Sequence, residues 1–229
     1  MTLRILGEGA GWVAVDKPPG VPVIPSRDAR TGSVRALLEA QLGRPVWVVH
    51  RLDQDTSGVL LFATDAEAHR GLNAVFETRA AQKEYLAIAA GDVSEPFSVD
   101  VPVAPGRKGR MRVGDATHVG KDASTAFEPV ERLGLATLLR ARPLTGRTHQ
   151  IRVHLRHAGH PLVFDHQYGQ RPAGLRELPP APTDTALTRT PLHAARLVLG
   201  APWSIDVGAP TPPDMERFWA WLRGLNAGR

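Results

Sequence analysis

The chain has 229 residues, 42% of them hydrophobic, and a formal net charge of +5 carried almost wholly by arginine. That length suits one large domain or two small lobes sharing a core. No run of about eighteen apolar residues suggests a membrane helix, the N-terminal residues do not read as a signal peptide, and the absence of cysteine excludes disulfides and thiolate metal sites and fits a cytoplasmic protein.

In chain order, LRIL and WVAV (3–15) read as two short strands joined by GEGAG, and the Pro-rich DKPPGVPVIPS that follows is too irregular for a helix. SVRALLEAQL (33–42) has helical spacing behind a Ser33 cap. WVV (47–49) is a short strand, and the apolar run 59–63 reads as a central one. Thr64 to Glu67 matches a capping box, opening a helix with Leu72, Val75 and Phe76 on one face. KEYLAIAAG (83–91) alternates as a strand does, Tyr85 and Ala87 opposite Leu86 and Ile88. Residues 104–123 are Gly-rich and basic, a long loop or a mobile hairpin; 124–131 and 135–142 form a strand pair around Leu133-Gly134. Thr148 caps a short helix that stops at Gly159 and Pro161. A Pro-rich loop fills 170–191, ARLVLG and WSIDV return to strand, and PPDMERFWAWLRGL is a helix burying Phe218, Trp221, Leu222 and Leu225. Strands and helices alternate without a regular βαβ beat, which argues for an α+β domain with a mixed, largely antiparallel sheet. No repeat and no linker divides residues 1–229, which read as a single domain.

Phosphate-loop, dinucleotide, nucleophile-elbow and zinc-protease signatures are missing from the sequence. His149, His154, His157 and His160 cluster, but their arginine-rich surroundings oppose a dication and favour a polar helix face that touches phosphate over a metal-dependent hydrolase. The stretch HRLDQDTSGVLLFA (50–63) concentrates polar residues before an apolar strand. In extended backbone Arg51 and Asp53 point to the same side, and an adjacent guanidinium holds a carboxylate ionised. Spacing alone favours a structural ion pair at the start of the strand; an ionised carboxylate also serves as nucleophile, electrostatic stabiliser or base. Arg107, Lys108, Arg110, Arg112 and Lys121 make the 104–123 segment strongly basic, either a solvated loop or a grip on a nucleic-acid backbone.

HRLDQDTSGVLLFA closely resembles the signature of the RluA-type pseudouridine synthases. VAVDKPPGVPVIP (13–25) resembles the family's first motif, KEYLAIAAG the segment carrying its active-site tyrosine, and PLTGRTHQIRVHLRHAGHPLVFDHQYG (143–169) its third motif. LHAARLVL (192–199) and PPDME (212–216) are similar to its closing elements. The motifs run in family order over nearly the whole chain. One departure is Phe164, where the family usually has glycine, so the turn before Asp165 is expected to differ.

The resemblance implies the pseudouridine synthase fold, a mixed sheet flanked by helices with an active-site cleft along it, without the small N-terminal RNA-binding domain of many relatives. It implies isomerisation of a uridine in ribosomal or transfer RNA, with no cofactor and no metal, after the nucleotide is flipped from its stack. By position, Asp53 is the essential aspartate, Tyr85 the residue that stacks on the base, and Arg147 the basic residue expected to pair with Asp53; Arg51 competes for that pairing or reaches into RNA. His50, Thr56, His149, Gln150, Arg152, Arg107, Lys108 and Arg110 complete the expected RNA contacts. The protein is expected to act as a monomer. The competing reading is an RNA chaperone on the same fold, without chemistry.

Overall fold

The computed structural model describes residues 1–25, 32–169, 181–183 and 185–227; the side chain of Lys108 and most of the Pro-rich segment expected at 170–191 lie outside the described residues. The chain divides into two compact units, Met1–Lys83 with His193–Pro210, and Glu84–Leu192 with Thr211–Arg229.

In the first unit, β1 (Arg4–Gly9) and β2 (Trp12–Lys17) form a hairpin. β2 pairs antiparallel with β4 (Ser57–Ala63), as does the two-residue β3 (Trp47–Val48). Every residue of β4 is buried, as its unbroken apolar run predicts. α1 (Val34–Leu42) starts where expected, Ser33 Oγ accepting from Ala36 N at 3.2 Å. α2 (Ala66–Glu77) begins one residue later than a capping box at Thr64 would place it: Asp65 Oδ1 accepts from Ala68 N at 2.8 Å, while Thr64 N–H is held by the Gly11 carbonyl. Ala68 and Leu72 of α2 pack against Val59, Leu61 and Ala63 of β4.

β11 (Leu192–Leu199) joins β4 in parallel, Ala194 opposite Gly58, and β12 (Ile205–Gly208) pairs antiparallel with β11. The parallel contact is unusually close. A Cβ on Gly58 would lie 2.2 Å from the Ala194 carbonyl oxygen, and Gly58 has φ 108°. Beside it, the buried Ser57 hydroxyl lies 3.0 Å from His193 Nδ1, and His193 Nε2 lies 3.3 Å from the Ala209 carbonyl. A carbonyl can only accept, so Nε2 carries a proton, and in the neutral ring Nδ1 then accepts from the serine. One glycine and one buried polar pair thus pin the register.

In the second unit, β5 (Gln82–Ala90), β10 (Ala136–Pro143), β9 (Thr125–Arg132) and β6 (Phe97–Val99) pair antiparallel in that order. The alternation of KEYLAIAAG is observed: Ala87 and Ala89 enter one apolar cluster, Ile88 and Ala90 another. Both faces are covered, one by α3 (Gln150–His157), the other by α4 (Pro213–Ala227). α4 buries Met215, Phe218, Trp219 and Leu222, so the expected inward tryptophan is Trp219 rather than Trp221; its indole donates to Glu131 at 2.7 Å. The basic segment forms a small hairpin, β7 (Val103–Pro105) and β8 (Met111–Val113), closed by a 3-10 turn at Arg107–Gly109. Phe164 takes φ 56°, the left-handed region that suits glycine, and packs edge-on against Phe218 at 5.3 Å. Gly58→Ala is expected to destabilise the protein by about 3 kcal/mol or more, since both the clash and the positive φ oppose it; thermal melting measures it.

Candidate active site

Asp53 opens a tight turn whose other end, Thr56 N–H, donates to the Asp53 carbonyl at 3.1 Å. The turn therefore spans Asp53 to Thr56, and Ser57-Gly58 already belong to β4. Asp53 is half-buried, Arg51 exposed and Leu52 buried, the alternation expected of the segment.

What fixes this turn is Lys17, at the end of β2 and fully buried. Its ammonium donates to the carbonyls of Pro18 at 2.8 Å, Gln54 at 2.7 Å and Thr56 at 2.8 Å. A cation removed from water needs such partners. Gly20 N–H donates to the Gln54 carbonyl at 2.9 Å, and the Gln54 amide returns a bond to the Gly20 carbonyl at 3.0 Å. The Lys-Pro-x-Gly turn and the aspartate turn are thus stitched together. Sequence reasoning had no role for Lys17. Its signal was strand period: Lys17 shares a face with Val13 and Val15, both buried.

His50 carries β3's pairing one step further. Its Nε2 accepts from Leu61 N–H of β4 at 3.0 Å, and its ring stacks on Phe76 at 4.7 Å. Burial, reinforced by the nearby Lys83 charge, pushes the imidazole pKa down to about 3. His50 is neutral at physiological pH and, with Thr56, which is buried, supports the turn from inside.

In the second unit, Arg147 is half-buried in the turn that leads to α3. Gln150 organises this turn. Its Oε1 accepts from Thr145 Oγ1 at 2.6 Å and Arg147 N at 3.0 Å; its Nε2 donates to the Ser124 carbonyl and to Thr125 Oγ1, both at 2.9 Å. Arg147 Nε donates to the Asp122 carbonyl at 3.1 Å. The residue capping α3 is His149, in the left-handed conformation at φ 55°, and not Thr148, which is exposed.

Arg152 is buried and bidentate on Asp165, at 2.7 and 2.9 Å. Burial works to raise the Asp165 pKa, but the Arg152 guanidinium and the backbone N–H groups of Tyr168 and Gln167 outweigh it and hold the carboxyl below its usual range. Gln150 and Arg152, expected as RNA contacts, therefore spend these donors inside the protein. Tyr85 is half-buried on β5, opposite Ala141 of β10. Arg107 and Arg110 are exposed on the hairpin turn.

The histidine cluster disperses: His154 Nε2 donates to the Val101 carbonyl at 3.1 Å, His160 Nδ1 lies 3.1 Å from the Ala90 carbonyl, His149 Nδ1 lies 2.7 Å from Tyr168 Oη, and His157 is exposed. Among the described residues no group of three or more histidines and carboxylates is placed to hold a metal ion, and no helix is long and apolar enough to cross a membrane.

Residues 11–157 match the family described as RNA pseudouridylate synthase. The chain is 39% identical over 225 residues to ribosomal large subunit pseudouridine synthase C of Escherichia coli (strain K12), covering 96% of this chain and 70% of the relative. It is 35% identical over 228 residues to synthase C of Pasteurella multocida (strain Pm70), covering 96% and 68%. Ribosomal large subunit pseudouridine synthase D of Nitrosomonas europaea is 36% identical over 237 residues, covering 97% and 66%. The solved human RNA pseudouridylate synthase domain containing 4 shares the fold, with a TM-score of 0.75 at 24% identity over 96% of this chain and 93% of that one. The chain belongs to the RNA pseudouridine synthase family and is an isomerase.

Lys17→Met leaves three carbonyls without their cation and is expected to cost about 3 kcal/mol or more, read from urea unfolding. His50 supplies a pH dependence. Its folded pKa lies below the unfolded value, so the unfolded chain binds more protons between about pH 6.5 and 3, and stability falls as pH drops through that window. His50→Gln should flatten this part of the stability profile.

Proposed function

We propose that the protein converts a uridine of large-subunit ribosomal RNA to pseudouridine, acting as a cytoplasmic monomer without metal or cofactor, with residues 1–229 serving as one catalytic domain. The observation that carries the reading is Asp53 on a turn bound by the buried Lys17, in the family's signature stretch. The names of the relatives supply the RNA class; transfer RNA is the alternative substrate.

The reaction is an isomerisation. The bond from ribose C1′ to uracil N1 breaks, the ring turns, and C1′ bonds to C5, while C5 loses a proton and N1 gains one. Asp53 supplies the essential carboxylate, whether it attacks the ribose, adds to the base or removes a sugar proton. Tyr85 offers an aromatic face to the extruded base and Arg147 is the basic partner of the reaction centre. Among the expected RNA contacts, the exposed Arg51, Arg107 and Arg110 are assigned to the phosphate backbone, with Lys108 beside them in sequence. His50, Thr56, Gln150 and Arg152 are assigned to holding the site.

Tritium release from unmodified large-subunit RNA labelled at uridine C5 tests the reading. The wild type should release tritium, and Asp53→Asn should lose about 10⁴-fold in rate while RNA binding and melting stay as they were. Binding without release from the wild type would leave an RNA chaperone instead.

A further inference from the structure

The basic hairpin is tied to the Arg147 turn at two points. At the first, Asp122, next to Lys121, accepts from Arg147 Nε at 3.1 Å, and Lys121 itself is bridged to Val103 of β7 by two backbone bonds of 2.9 Å. At the second, the Tyr168 hydroxyl oxygen lies 2.7 Å from both Met111 N, at the start of β8, and His149 Nδ1. Met111 N–H can only donate, so the phenol oxygen accepts there while it also pairs with the imidazole. Tyr168 is buried, with the Arg152 guanidinium 4.9 Å over its ring and Asp165 bonded to its backbone N–H. Val103, Val153 and Tyr168 form the small apolar cluster beneath the hairpin. One phenol therefore connects the hairpin to the residue that caps α3, two positions after Arg147.

A two-stranded hairpin of three residues a side has little stability of its own. Its direction is set by what it leans on, and arginines at its tip grip phosphate usefully only if that direction is fixed. Arg107 and Arg110 stand exposed at this tip, and neither makes an ion pair among the described residues; Arg112 is engaged with Asp115.

We propose that Tyr168 is a positioning residue for RNA: its hydroxyl holds the basic hairpin in register with the Arg147 turn, so that phosphates gripped by Arg107 and Arg110 are held in a fixed position relative to Arg147. This rests on the function proposed above and adds to it a residue that touches no RNA.

The test uses the full chain and unmodified large-subunit ribosomal RNA transcribed in vitro. Binding is measured between about 50 and 200 mM salt for the wild type, Tyr168→Phe, the pair Arg107→Ala with Arg110→Ala, and all three together. Each phosphate that is no longer neutralised should lower the slope of log K against log salt by about 0.7–0.9. Tyr168→Phe should weaken binding about fivefold and lower the slope as the arginine pair does, and the triple variant should fall no further than the pair. In tritium release, Tyr168→Phe should raise KM with kcat within about twofold, and exchange of the Met111 amide should quicken. A wild-type slope in Tyr168→Phe, or slope reductions that add in the triple variant, would overturn the proposal. A wild type that binds but makes no pseudouridine would overturn the function above, while the slopes would still read the hairpin.

Discussion

The first unit is arranged around one buried cation. Placing Lys17 out of water at the end of β2 creates a demand that only oxygens close by can meet, and the chain meets it with main-chain carbonyls. Two of them come from the aspartate turn, 37 and 39 residues further on. Carbonyls move only with the backbone, so fixing them fixes the turn itself. The ammonium of Lys17 thereby sets where Asp53 begins, and the pinned β4 behind it, with Gly58 and the Ser57–His193 pair, keeps the turn from sliding. A side-chain clamp would have left the aspartate's backbone freer.

The second unit solves the same problem with paired ions. Arg152 with Asp165 and Arg189 with Asp214 are bidentate, and in each pair one partner is almost wholly withdrawn from solvent. Such pairs contribute little net stability against an apolar replacement, but they tolerate only one geometry. Each carboxylate also accepts from backbone N–H groups, Asp165 from Gln167 and Tyr168 and Asp214 from Met215, so the pair orients main chain as well as side chain. Gln150 does this without charge, all four of its amide bonds directed to the segments that flank Arg147.

Most elements were legible in the sequence because period and caps are local. Ser33, the apolar run of β4 and the alternation of β5 needed nothing beyond their neighbours. The misplacements have equally local causes: Thr64 is held by the Gly11 carbonyl, which shifts the α2 cap to Asp65, and a histidine in the left-handed conformation caps α3. The site was legible as motifs and illegible as mechanics. Lys17 binds backbone carbonyls, which every residue carries and no residue type marks. Thr56, Gln150 and Arg152 look like RNA contacts because they are polar and adjacent to Asp53 and Arg147, yet their burial turns them inward. Phe164, where the turn was expected to differ, takes a left-handed φ, and the ring it brings packs on Phe218.

The register pin on β4 also bears on how the chain is born. Ser57 and His193 are 136 residues apart, and both compact units are assembled from separated stretches of chain. As the ribosome extrudes the polypeptide, β4 emerges with β2 and β3 already made, but the Ser57–Gly58 end of its flank stays open until β11 is synthesised. Until then a largely apolar strand has one edge only partly covered, by β3 and His50, an arrangement prone to wrong partners. The pin that fixes β4 in the folded protein is therefore one the chain cannot use until its last stretches are made.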